Sequence, residues 1–207
     1  MNSIWYTEHM DNTVGSLTQL QRSIIIGSIL GDGYVRIMPK RRNAFLEINH
    51  SYKAKEYVEW KYEQLKSIAG SEPKMRKGKG DRVAFRFYTR QHPEITELFQ
   101  AFYQAGKKMI PETFTLDPLA LAVWYMDDGS KCRDSDVYLN TQQFKHEHQE
   151  RLINILEQHE IKCRMNKDKQ YYRLRILKES LPKFRELIEK HIVPSMKYKL
   201  SYDPVET

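Results

Sequence analysis

At 207 residues, 40% of them hydrophobic and 29% charged, the chain has a soluble globular composition and enough length to bury a sizeable core, as one large domain or two small halves. Its apolar runs are far too short to span a bilayer, and MNSIWYTEHMDNT at its start lacks the basic, apolar and small-residue order of a secretory signal, so we expect an intracellular protein, cytoplasmic or organellar, with no membrane partner and no secretion. Lys and Arg number 34 against 27 Asp and Glu, a net charge of +7, which favours a polyanionic partner.

Residues 17–31, LTQLQRSIIIGSILG, read as one helix with a polar first turn, stopped by Gly33. YVRIMPKRRNAFLEINH follows as two strands joined by a basic turn over residues 39–43. KAKEYVEWKYEQLKSI is amphipathic helix, apolar at Tyr57, Val58, Trp60, Tyr62 and Leu65, with Lys61 and Lys66 expected on its surface. KMRKGKGDRVAFRFYT is a second hairpin, broken at Gly78, Gly80 and Asp81. PEITELFQAFYQ is a helix opening on Pro93. Residues 106–117, GKKMIPETFTLD, form a linker in which Pro111 ends any preceding helix.

The order then repeats. DPLALAVWYMD is an apolar helix ending in Asp-Gly, and KCRDSDVYLNTQQF holds at least one strand, over 137–142. KHEHQERLINILEQHE is amphipathic helix, IKCRMNKDKQYYRLRIL a hairpin turning around 166–170, and ESLPKFRELIEKHI a helix. Each half, 17–105 and 118–200, reads αββαββα, and the two Asp-Gly pairs, at 32 and 128, stand about half the chain apart. This is an internal duplication of pattern rather than identity. The expected class is α+β, with two pseudo-symmetric halves whose antiparallel sheets form a saddle. Cys132 and Cys163 have no metal-knuckle or disulfide-framework spacing and are expected as free thiols.

Side chains alternate faces along a strand. Val83, Phe85 and Phe87 therefore fall opposite Arg82, Arg86 and Tyr88. Tyr172, Leu174 and Ile176 fall opposite Tyr171, Arg173 and Arg175, and Val137, Leu139 and Thr141 opposite Tyr138, Asn140 and Gln142. A face open to water could use Glu, Lys, Thr and Ser equally well. Repeated Arg, Asn and Gln are the types that contact phosphates and base edges. With Lys40 and Arg41 in the basic turn, these faces are expected to form a broad basic saddle of the kind that contacts phosphates and base edges.

The Asp-Gly ends need a separate reason. A glycine after a helix is ordinary capping, but an acid there opposes the negative end of the helix macrodipole. Both apolar helices end this way, and the first carries Gly27 and Gly31 at a spacing that leaves a smooth stripe for close packing. Side by side and parallel, they would bring Asp32 and Asp128 together, and one acid would keep its proton unless a cation were present. Carboxylate oxygens with few nitrogen or sulfur ligands suit Mg²⁺. Facing a basic saddle, such a cluster is suited to metal-assisted phosphodiester cleavage.

IIGSILGDG (residues 25–33) and LAVWYMDDG (residues 121–129) resemble the two signature motifs of the LAGLIDADG homing endonucleases, and the αββαββα order resembles their fold. LALAVWYMDDG, YLNTQQF and IVPSMKYKL look like the single-chain branch encoded in mobile introns, and the resemblance extends over residues 17–200. It implies a monomeric, site-specific double-strand DNA endonuclease of the intron homing type, cutting across the minor groove to leave short 3′ overhangs. It implies Asp32 and Asp128 as metal ligands, with the carbonyls of Gly31 and Asp127 nearby. By position it makes Lys108 and Lys199 the peripheral lysines, Gln142 a polar group near the metal water, and His50 the counterpart of Gln142 in the first half. Asp127 and Val123 depart from the small residues usual at their places, so close packing is expected to be asymmetric. The same fold also serves RNA maturases and some transcription regulators. The retained acids favour the enzyme, and the duplication disfavours a purely structural helix-sheet protein.

Overall fold

The computed structural model describes residues 15–78, 80–132 and 136–200; the N-terminal stretch searched for a signal lies outside them. The first half runs α1 (Gln19–Leu30), β1 (Tyr34–Ile37), β2 (Ala44–Ser51), α2 (Lys55–Leu65), β3 (Lys74–Lys77), β4 (Val83–Tyr88) and α3 (Pro93–Phe102). A short hairpin, β5 (Tyr103–Gln104) and β6 (Lys107–Lys108), follows. The second half runs α4 (Pro118–Asp128), β7 (Gly129–Lys131), β8 (Val137–Leu139), α5 (His146–Glu157), β9 (Cys163–Asp168), β10 (Tyr171–Ile176) and α6 (Leu181–Ile188), before a 3-10 segment, Pro194–Lys199. The protein is α+β, and each half has the order αββαββα.

The sheets repeat one topology. Strand order is β1-β2-β4-β3 in the first and β7-β8-β10-β9 in the second, antiparallel throughout. On β2, Ala44, Leu46 and Ile48 are fully buried, while Phe45, Glu47 and Asn49 point to the opposite face. On β4, Phe85 and Phe87 are buried and Arg86 and Tyr88 are half-buried, as alternation predicts. Among the described residues no helix is long and apolar enough to cross a membrane. Cys132 is exposed, Cys163 is buried, and both are free.

The helices α1 and α4 pack in parallel at the centre. At one end Asp117, the N-cap of α4, accepts from Gln19 Nε2 at 3.0 Å and from Ser23 Oγ. At the other, Gly31 lies against Asp127. α1 is apolar on nearly every side because it is enclosed: Ile24, Ile25, Ile29 and Leu30 are all at most 1% exposed. A Cβ at Gly27 would stand 2.5 Å from the Ala120 carbonyl oxygen and 2.7 Å from Val123 Cβ. Only a bare glycine lets the helices approach so closely, and Val123 on α4 makes the contact one-sided.

Two boundaries differ from expectation. The strand expected over 137–142 ends at Leu139, because Thr141 is pulled into a turn by Phe144 N–H donating to its carbonyl and by its own hydroxyl bonding to buried Gln149. Residues 106–108, expected as linker, fold back onto residues 103–104 through a turn with Ala105 and Gly106 at positive φ.

Candidate active site at the paired helix ends

The turn after α1 places Asp32 between two buried glycines with its carboxylate half exposed. Asp128 closes α4, with Gly129 N–H donating to the Tyr125 carbonyl and Asn140 N–H to the carbonyl of Asp128 itself. Both acids line one open cavity of about 410 Å³, with Gly31, Lys108, Asn140, Gln142 and Gln143 among its walls. The structure thus brings the two Asp-Gly ends together.

The expected lysines lie at matching places. Lys108 Nζ donates to the Gly31 carbonyl at 2.5 Å, at the C-terminus of α1. Lys199 Nζ donates to the carbonyls of Met126 at 2.5 Å and Asp127 at 3.1 Å, at the C-terminus of α4. Each ammonium meets the negative end of its helix, where exposed carbonyls are otherwise unpaired. The fold-back of β6 delivers Lys108, and a hydrogen bond of 2.7 Å from the Tyr125 hydroxyl to the Lys199 carbonyl secures the other.

Charge is crowded here. Burial, then the neighbouring Asp32 and Asp127, push the Asp128 carboxyl up to about 7. Burial also acts to raise Asp32, but the His50 hydrogen bond and the charges of His50, Lys61 and Lys108 outweigh it and leave Asp32 below its ordinary value. Of the pair, Asp32 ionises first. Burial lowers Lys108 to about 8, against the pull of three aspartates, and also holds Lys199 below its ordinary value.

Several side chains differ from expectation. Gln142 lines the cavity, but its amide donates to Asp168 at 2.8 Å, and Gln143 Nε2 is the amide that approaches Asp128, at 3.5 Å, and the Leu30 carbonyl, at 3.3 Å. The early end of β8 causes this shift by placing 142 and 143 in a turn. Asn140 also lies beyond the strand, near Ser130 in the same cavity, rather than on an outward strand face. His50, expected beside the acids as the first-half counterpart, does lie there, 3.4 Å from Asp32 through Nδ1 and 3.7 Å from Asp127 through Nε2. Lys61, expected on a surface, is fully buried and pairs with the equally buried Asp127 at 2.8 Å. The missed signal was its place in the stripe Tyr57, Val58, Lys61 and Leu65, which is the buried face of α2.

The basic residues of the outward faces are arranged as follows. Lys40 and Arg41 are exposed in the β1–β2 turn, and Arg82 is exposed before β4. Glu47 sits between Arg36, at 3.0 Å, and Arg86, at 3.6 Å, and the Arg86 guanidinium lies over Tyr88. Arg175 pairs with Asp136, and Arg173 lies over the Tyr138 ring at 3.9 Å.

This architecture, two parallel helices ending in paired aspartates between two matching sheets, is that of a duplicated α+β protein with one shared site. The profile of the LAGLIDADG DNA endonuclease family matches residues 22–184, and the chain belongs to that family. It is 30% identical to the probable intron-encoded endonuclease 1 of Wickerhamomyces canadensis, over 91% of this chain and 87% of that protein. It is 29% identical to the cytochrome b mRNA maturase bI2 of Saccharomyces cerevisiae, over 92% of this chain but only 49% of the maturase. Among solved structures, that of the homing endonuclease I-WcaI bound to its DNA recognition sequence matches with a TM-score of 0.84 and 28% identity, over 92% of this chain and 89% of that one.

Proposed function

We propose that the protein is a site-specific DNA endonuclease of the intron homing type, in which Asp32 and Asp128 are the catalytic carboxylates. The observation that carries this reading is the convergence of both carboxylates and Lys108 on one cavity at the paired helix ends. The whole-length similarity to an intron-encoded endonuclease and to a DNA-bound homing endonuclease supports it.

The donors suit a hard divalent cation. Two carboxylates and the carbonyls of Gly31 and Asp127, which also accept from Lys108 and Lys199, are all oxygen. Burial, then the facing Asp32 and Asp127, raise Asp128 in spite of Lys108 and Lys199, so a cation at this corner would favour its ionised form. Two carboxylates with the remaining positions left to water and phosphate is a pattern that Mg²⁺ accepts. When bound, such an ion polarises the scissile phosphate and lowers the pKa of water beside it. Lys108 and Lys199 stand ready to stabilise charge on the phosphate or to exchange a proton at Nζ, since burial has already weakened their hold on it. Gln143 is placed to orient a group beside Asp128.

Affinity and specificity fall to the outward faces of the sheets, through Arg82, Arg86, Tyr88, Arg173 and Arg175, with Lys40 and Arg41 on flanking phosphate. A second reading, an intron RNA maturase, is favoured by the similarity to the bI2 maturase. The deciding experiment is incubation of the protein with duplex DNA of the uninterrupted host locus, with and without Mg²⁺. Cleavage at one site, in Mg²⁺ only, supports the endonuclease. Tight binding of intron RNA with no cut DNA would replace it by the maturase.

A further inference from the structure

Asp127 precedes Asp128 in α4 as Gly31 precedes Asp32 after α1. Its buried carboxylate receives Lys61 Nζ on both oxygens, at 2.8 and 3.0 Å, and the Tyr57 hydroxyl on Oδ1 at 2.8 Å. Its Oδ2 also accepts the backbone N–H of Asp32 at 3.2 Å, across the interface between the halves. A Cβ added at Gly31 would lie 2.4 Å from Asp127 Cβ, so the Asp127 side chain occupies the space that Gly31 leaves.

This pair has no twin in the second half. Lys61 is the seventh residue of α2, and the seventh residue of α5 is Leu152, also fully buried. The third, fourth, seventh and eleventh positions are buried in both helices, so the two places correspond. Where one half supplies an acid and the other a lysine, their counterparts are Gly31 and Leu152. Two charges out of water cost more than two apolar residues of similar size, so stability alone gives no reason for the exchange. The hydrogen bond to Asp32 does.

We propose that Lys61 and Asp127 are positioning residues for Asp32. Lys61, reaching from α2 of the first half, clamps the Asp127 side chain of the second half. That side chain in turn fixes the backbone of Asp32 and so the place of the first carboxylate relative to the second. Asp128 has no such support, since Gly31 offers no side chain in return, and the two carboxylates are held by different means. The inference rests on the reading of Asp32 as a catalytic carboxylate.

The test compares wild type with Lys61→Leu and with Lys61→Leu/Asp127→Ala. The single variant strands a buried carboxylate and should melt lower or fail to fold. The double variant removes both charges and should melt near wild type. By amide exchange on the free protein, the Asp32 N–H of the double variant should exchange about tenfold faster than in wild type. On duplex DNA of the uninterrupted host locus with Mg²⁺, the two strands should be nicked at rates whose ratio changes about tenfold, as for loss of other groups that orient a metal-binding side chain, with DNA affinity unchanged. A double variant with wild-type Asp32 protection and an unchanged ratio of nicking rates would overturn the proposal. If the wild type cuts no DNA, the homing reading fails by itself; faster Asp32 exchange would still support the clamp, and unchanged exchange would still overturn it.

Discussion

Asp32 and Asp128 occupy matching places yet hold their protons differently. Asp128, more enclosed and facing two other aspartates, titrates near 7 against an ordinary 3.8. Between these limits the folded protein keeps a proton that the unfolded chain has released. Stability from this group therefore falls as pH rises from about 4 to about 7. Melting temperatures in chelator should show that decline in the wild type but not in Asp128→Asn, and saturating Mg²⁺ should remove it by binding the ionised pair. An identical pH profile for wild type and Asp128→Asn would contradict this assignment. Under the proposed function, Asp32→Asn or Asp128→Asn should abolish double-strand cleavage and leave DNA affinity within a few-fold of wild type. An Asp128→Asn protein that cut both strands at the wild-type rate would remove that acid from the mechanism. Both acids were legible in the sequence because each ends an apolar helix against its own macrodipole. The Lys61–Asp127 pair was not. The stripe Tyr57, Val58, Lys61 and Leu65 puts Lys61 on the buried face of α2, but nothing local names a partner 66 residues away.

At the scale of elements, the six α-helices among the described residues lie where the sequence places them, and three of them, α1, α3 and α4, open on a side-chain cap. Thr18 and Gln21 make a full capping box on α1, and Asp117 caps α4 with Pro118 behind it. Strand limits were less legible, because β8 ends where a side-chain bond from Thr141 to Gln149, on the helix that follows, outweighs strand propensity. The β5–β6 fold-back was illegible, since two strands of two residues each carry no periodicity. The contact that joins the halves is more exacting than any single element. Gly27→Val would drive side-chain atoms into the Ala120 backbone carbonyl, which cannot rotate away. Overpacking of this kind costs about 1–3 kcal/mol. For a chain of this size that is a fall of ~2–4 °C in Tm per kcal/mol. Because the same movement separates the helix ends, cleavage should fall further than stability does. Calorimetry and cleavage rates on one preparation would show whether they part, and an unshifted Tm would mean that the helices pack less tightly than described.

The whole molecule carries both halves in one chain, so it should sediment as a monomer, free and on DNA, and should accept a target without strict two-fold symmetry. An obligate dimer under both conditions would contradict the duplication as the source of the two halves. The outward face of the first sheet adds a requirement that the sequence did not disclose. Alternation placed Arg86 there, but not the fact that Glu47 sits between Arg86 and Arg36 on neighbouring strands. Half-buried ion pairs of this kind hold guanidinium planes in fixed orientations, which suits bidentate reading of guanine and works against indiscriminate phosphate binding. Glu47→Gln should therefore free both arginines. Affinity for random duplex DNA should rise, and its salt slope should steepen by about 1 for each further phosphate that an arginine neutralises. Discrimination at the base pairs facing Arg86 should weaken at the same time, by roughly 1–3 kcal/mol. Arg86→Ala, Arg173→Ala and Arg175→Ala should each lose more affinity than Lys66→Ala, whose ammonium pairs with Glu63 on exposed helix surface. Titrations of these variants at two salt concentrations, on target and random duplexes, separate the two roles. An unchanged slope and unchanged discrimination in Glu47→Gln would place the DNA on another surface.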